Sequence, residues 1–146
     1  MEGMNAASIN EFEGKKFKAE DGSVIYFAED GSFLWYRSDD NHEDNYYRGT
    51  YELRFAKDGM DYIIKELPQF DMTEQKMALY LSRNKESEFY RLRNFCFLSL
   101  NNEELKADGE SRQLQSVKSY YMGFYAEGLF DAANMQTGNY VKFSRG

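Results

Sequence analysis

The stretch Ala19-Glu-Asp-Gly-Ser-Val-Ile-Tyr-Phe-Ala-Glu-Asp-Gly-Ser-Phe-Leu-Trp-Tyr36 holds one pentapeptide, Ala-Glu-Asp-Gly-Ser, twice, at Ala19–Ser23 and at Ala28–Ser32. Each copy runs into four large apolar residues, Val24–Phe27 and then Phe33–Tyr36. Asp-Gly ahead of a β-branched or aromatic run is a hairpin signal, because glycine accepts the positive φ of a tight turn. Two strands of an antiparallel meander follow. A third arm, Tyr46 to Phe55, alternates strictly: Tyr47, Gly49, Tyr51, Leu53 and Phe55 share one face and Tyr46, Arg48, Thr50, Glu52 and Arg54 the other. A period of two with one polar face describes a sheet wetted on one side.

Upstream, residues 1–13 read as a loose lead-in that turns helical near Asn10, and Lys15–Ala19 as a short strand anchored by Phe17. Downstream of Phe55 the period changes. Met60, Ile63, Ile64 and Leu67 mark one helix face, with Asp58 as its cap and Pro68 as its stop. Thr73 caps a second helix that carries Met77, Tyr80 and Leu81 and ends near Asn84. Together they form a helical insertion over about 59–84, predicted to lie against the sheet or to close one end of a barrel. From Phe89 the strand signal returns. The run Phe95–Leu98 suits a strand buried on both faces, ended by a loop at Asn101–Glu104. Leu105–Ala107 reads as a short return strand, Asp108–Gln113 as a polar mobile segment, Ser119–Tyr125 as a strand, Asp131–Asn139 as irregular, and Tyr140–Phe143 as the closing strand. The predicted fold is mainly β: an antiparallel up-and-down meander of about eight strands in a closed or partly closed barrel, with a two-sheet sandwich as the other arrangement. A barrel removes vulnerable edges by pairing first and last strands. Residues 14–146 read as a single domain, long enough to bury roughly 70% of the unfolded chain's surface.

Composition narrows the function classes. Lys and Arg number 18 against 25 Asp and Glu, a net charge of -7 that repels phosphate backbones and anionic membranes. No apolar stretch is long enough to span a bilayer, and no signal segment opens the chain. The molecule is expected to be soluble, and cytoplasmic or extracytoplasmic according to whether an anchor or leader once preceded Met1. The lone Cys96 lies in an apolar run and reads as a small buried hydrophobe.

Gly14–Phe17, the Asp-Gly-Ser turn, the aromatic strand Phe33–Tyr36 and the strand Gly49-Thr-Tyr-Glu-Leu53 together resemble the opening of small bacterial lipocalin-like (calycin-type) domains. They are similar, too, to domains of Gram-positive bacteria that sit behind a membrane anchor. The resemblance covers roughly the first 55 residues. The chain departs from it by the helical insertion and by having Phe17 where many lipocalins place a tryptophan near the first strand. What the resemblance implies is binding of a small apolar ligand rather than catalysis.

Asp40, His42 and Asp44 alternate in the acidic run Asp39–Asp44, as oxygen ligands for calcium do, but the calcium loop needs Gly at its sixth place and Glu at its twelfth. Counted from Asp40 those places hold Asn45 and Tyr51, so the run reads as a solvated hairpin loop. One His and one Cys cannot furnish a zinc site of the usual ligand sets, and His42 among charged neighbours does not suit a Ser-His-Asp triad. Asp131, between Phe130 and Ala132, is the carboxylate best placed for a raised pKa, hence the centre of an enzyme reading, against a turn cap. No phosphate loop and no cofactor is indicated; the scattered Gly123, Gly128 and Gly138 suit bulges and tight bends. The aromatics remain. Tyr26, Trp35, Tyr47, Tyr51, Tyr121 and Tyr125 offer flat faces with polar tips for an apolar, aromatic or sugar-like ligand, or a surface for a protein partner. Core packing and cross-strand pairing are the alternative use of the same rings.

Overall fold

The computed structural model describes residues 8–37, 45–83 and 87–145. Eight antiparallel strands close into a barrel in sequence order. They are β1 (Lys15–Ala19), β2 (Val24–Phe27), β3 (Ser32–Tyr36), β4 (Tyr46–Phe55), β5 (Phe95–Ala107), β6 (Glu110–Ala126), β7 (Leu129–Asn134) and β8 (Tyr140–Arg145). Closure comes from β1 pairing with β8 through Phe17↔Arg145, Lys18↔Ser144 and Ala19↔Phe143. The two pentapeptides make matching turns. Gly22 and Gly31 take φ of +92° and +91°, and the aspartate before each accepts the backbone N–H and the hydroxyl of the serine after it, at 2.9 and 2.6 Å in both.

Alternation sorts the strands into an inner and an outer face. Ile25, Phe27, Phe33, Leu98, Leu100, Tyr125, Phe130 and Phe143 point inward and are buried. One end of the barrel is packed shut. A 3-10 turn at Ile9–Glu11 delivers Phe12, fully buried, into the interior, where it stacks on Phe17 at 5.1 Å and meets Phe27, Phe55, Tyr125 and Phe130.

The helices α1 (Ala56–Glu66) and α2 (Glu74–Ser82) lie against the outside of the wall rather than across an end. Met60, Ile63, Leu67 and Met77 pack on Phe95, Phe97 and Phe124, the outward residues of β5 and β6. The run Phe95–Leu98 is therefore buried on both faces, as its composition predicts. Cys96 is fully buried on the inner side, and burial pushes its thiol up. Thr73 caps α2 as expected, its hydroxyl accepting the N–H of Lys76. Asp58 does not cap α1. The helix starts at Ala56 directly out of β4, and Asp58 instead pairs with Arg54 at 3.5 Å. Among the described residues no helix is long and apolar enough to cross a membrane.

The region after Leu100 differs most from the sequence reading. Asn101–Glu104 is not a loop, because a bulge between Asn102 and Glu104 absorbs Glu103 and keeps the ladder running. The return strand Leu105–Ala107 is the end of β5. Asp108–Gln113 is not an unstructured segment: Asp108 and Gly109, both at positive φ, form a two-residue turn, and β6 begins at Glu110. The segment from Asp131 contains the end of β7 before its turn. Gly128 and Gly138 sit at turns with φ of +82° and +80°. Gly123 lies inside β6, where a Cβ would stand 2.0 Å from the Asp131 carbonyl oxygen, so close strand approach rather than a bend requires it.

Candidate ligand cup at the open end

The β1–β2 turn sits at the end of the barrel opposite Phe12, and the site grows from it. Ser23 donates its hydroxyl to Asp21 and accepts the indole N–H of Trp35 at 2.9 Å. These bonds hold the Asp21 carboxyl below the usual carboxylate range, the Ser23 hydroxyl being the largest cause and its N–H the next. Trp35, fixed at its polar edge, lies opposite Ile25 and Tyr47 in the ladder. Its ring meets Phe143 edge-on at 5.5 Å and Tyr121 at 6.0 Å, and Tyr121 meets Phe143 at 6.2 Å. Burial raises the Tyr121 hydroxyl, opposed by a hydrogen bond with Asn134.

These three rings divide the interior. Toward Phe12 it is filled by side chains. Toward the open end there is a cavity of about 620 Å³ walled by Trp35, Tyr47, Leu105, Leu114, Val117 and Tyr121, with Ser23, Asn102 and Ser119 as its inner polar groups. Asp21, Arg37, Asn45, Tyr46 and Lys106 also border it. Pockets for small molecules span about 300–1,000 Å³ and combine apolar walls with few polar groups. Tyr47 and Val117 are 45% and 52% exposed, large apolar surface that none of the described residues covers.

The six aromatics named from the sequence separate in space. Trp35, Tyr47 and Tyr121 line the cup. Tyr51 lies in the filled half, packed on Phe27 at 4.9 Å and donating its hydroxyl to the Ala28 carbonyl at 2.8 Å. Burial, with the charges of Glu13 and Asp30 behind it, pushes that hydroxyl up to about 12. Tyr125 lies at the closed end, donating to Glu11 at 2.8 Å and accepting the Gly128 N–H at 3.1 Å. Its pKa rises to about 12, from burial first and the Glu11 carboxylate second. Tyr26 is on the outer face, in a second groove of about 600 Å³ with Leu34, Tyr46 and Arg48. Of the cup's remaining lining residues, the sequence reading has Ser23 only as a turn residue, Leu105 and Ser119 at the starts of short strands, Asn102 in a loop, and Leu114 and Val117 in no element. The signal for them is Asp108-Gly109, a hairpin dipeptide that puts Leu105 opposite Arg112.

Asp131 faces outward from β7, accepts the Tyr90 hydroxyl at 2.9 Å and lies across the ladder from Lys142, apart from both cavities. That hydrogen bond is the main cause raising the Tyr90 hydroxyl. The acidic run with Asp40, His42 and Asp44 lies outside the described residues. Among the described residues no group of three His, Cys, Asp or Glu side chains is placed to hold a metal ion. Comparison of the chain with protein-family profiles, with curated proteins and with solved structures returned no match.

Proposed function

We propose that the chain is a lipocalin-like, calycin-type barrel that holds a small apolar or aromatic molecule in the cup at its open end, without catalysis. The observation that carries this reading is the division of the interior: a barrel packed shut around Phe12, yet open above the Trp35–Tyr121–Phe143 layer. Filling the whole interior would bury more apolar surface and add stability, so an open half lined by Trp35, Tyr47 and Val117 suits an occupant. Trp35 is the only tryptophan and stands in the cup wall, so its emission reports on the site alone.

The test is titration with N-phenyl-1-naphthylamine, an uncharged aromatic probe, following Trp35 quenching. Binding is expected, weakened about tenfold by Tyr47→Ala, for the loss of one aromatic contact surface, and unchanged by Tyr26→Ala on the outer face. Unaltered Trp35 emission, together with native mass spectra of protein from its own host that show no added small molecule, would overturn the reading.

A further inference from the structure

The polar groups inside the cup are already partly spent on one another, and what remains defines the molecule they suit. Asn102 is only 6% exposed. Its side-chain nitrogen donates to the Val117 carbonyl at 2.8 Å and to the Ser119 hydroxyl oxygen at 3.1 Å. A backbone carbonyl only accepts, so the amide orientation is settled by Val117, both amide hydrogens are used, and the carbonyl oxygen of Asn102 is the part left to offer. Ser119 accepts from Asn102, which leaves its hydroxyl hydrogen to donate. On the other wall Ser23 has donated to Asp21 and received the Trp35 N–H. Of its three inner polar groups the cup thus presents one acceptor and one donor side by side, next to apolar walls. Its two cations, Arg37 and Lys106, belong to strand ends at the rim, and the charge nearest the Ser23 wall is the Asp21 carboxylate, an unfavourable neighbour for an anion.

Resting on the reading of this end as a ligand cup, we infer that its occupant is a neutral aromatic or apolar molecule bearing one group that both donates and accepts a hydrogen bond, a hydroxyl or a carboxamide, which pairs with Asn102 and Ser119. Carboxylates are disfavoured, since the Asn102 oxygen and Asp21 both repel them. Ethers and bare hydrocarbons leave the Asn102 oxygen unpaired in a site they have dried.

Calorimetric titration with four naphthalenes of one shape tests this: 2-naphthol, 2-naphthamide, 2-methoxynaphthalene and 2-naphthoate. The naphthol and the amide are expected to bind about five- to tenfold more tightly than the ether and the anion, the factor that one net hydrogen bond supplies. Ser119→Ala and Asn102→Leu, each checked for folding by circular dichroism, are expected to erase the preference for naphthol over the ether, Asn102→Leu in part by tightening the ether, whose binding no longer strands an amide oxygen. Equal binding of all four by the unmodified protein overturns the inference and leaves the cup standing. Tightest binding of the naphthoate also overturns it, and assigns recognition to the rim cations. If none binds, the cup and the inference fall together.

Discussion

Ser23 and Ser32 occupy the same place in two copies of one turn, bonded to Asp21 and Asp30 with the same distances. Only Ser23 also receives a tryptophan N–H, because the first turn lies at the open end and the second at the closed end. Ser23→Ala therefore strands the Trp35 N–H as well as loosening the turn, and is expected to cost about 1–2 kcal/mol in urea unfolding with a shift in Trp35 emission. Ser32→Ala should leave the emission untouched. The serine hydroxyl first, and its N–H second, hold both aspartates below the usual carboxylate range in the folded state. A depressed carboxylate stabilises the fold above its unfolded pKa and loses that contribution as pH falls through the folded value. Stability is thus expected to decline below about pH 4, and more shallowly in either serine variant, as acid titration followed by circular dichroism would register. The pentapeptide's turns were legible from Asp-Gly alone. That one of them holds a cavity wall was not, since this depends on a tryptophan twelve residues away in sequence.

Among the elements, the short-range patterns were readable and the long hairpin was not. The meander from β2 to β4 follows alternation with few exceptions, and Thr73 announces α2. The hairpin of β5 and β6 is not legible as one unit because polar residues such as Asn102 and Glu104 look like loop. Both are buried, Asn102 against Val117 and Ser119, Glu104 against Arg48 and Ser111. Polar residues with partners sit in a ladder as readily as apolar ones. The start of α1 was misplaced for a different reason. Ala56 takes a φ of +54°, which turns the chain from strand to helix without a capping side chain. A left-handed alanine costs about 1 kcal/mol, while glycine accepts the angle freely. Ala56→Gly is accordingly expected to raise stability by about 0.5–1 kcal/mol in chemical unfolding; a loss would show that the Ala56 methyl packs more usefully than the angle strains.

At the scale of the molecule, an antiparallel barrel with a helical insertion follows from the sequence, whereas its full closure, the helices' place on the outer wall and the position of the cavity do not, the last because it brings together side chains from four strands and the β1–β2 turn. The closed end depends on Phe12, a residue of the lead-in. Phe12→Ala is expected to cost about 3–5 kcal/mol in unfolding free energy, and to do so without altering Trp35 emission, since the tryptophan layer stands between that end and the cup. The seam between β1 and β8 has a further consequence. It is stitched by three residue pairs where β5 and β6 share twelve, and its antiparallel register places Lys15 and Arg145 at the same end of the barrel. A pull on those two strand ends loads the seam like a zipper, one rung at a time, whereas a pull along opposite ends of two neighbouring strands would shear all rungs at once. The barrel is mechanically soft in that one direction: held by these strands in single-molecule force measurements, it should peel open at the seam at low force, spilling the cup before the β5–β6 wall and its helices give way.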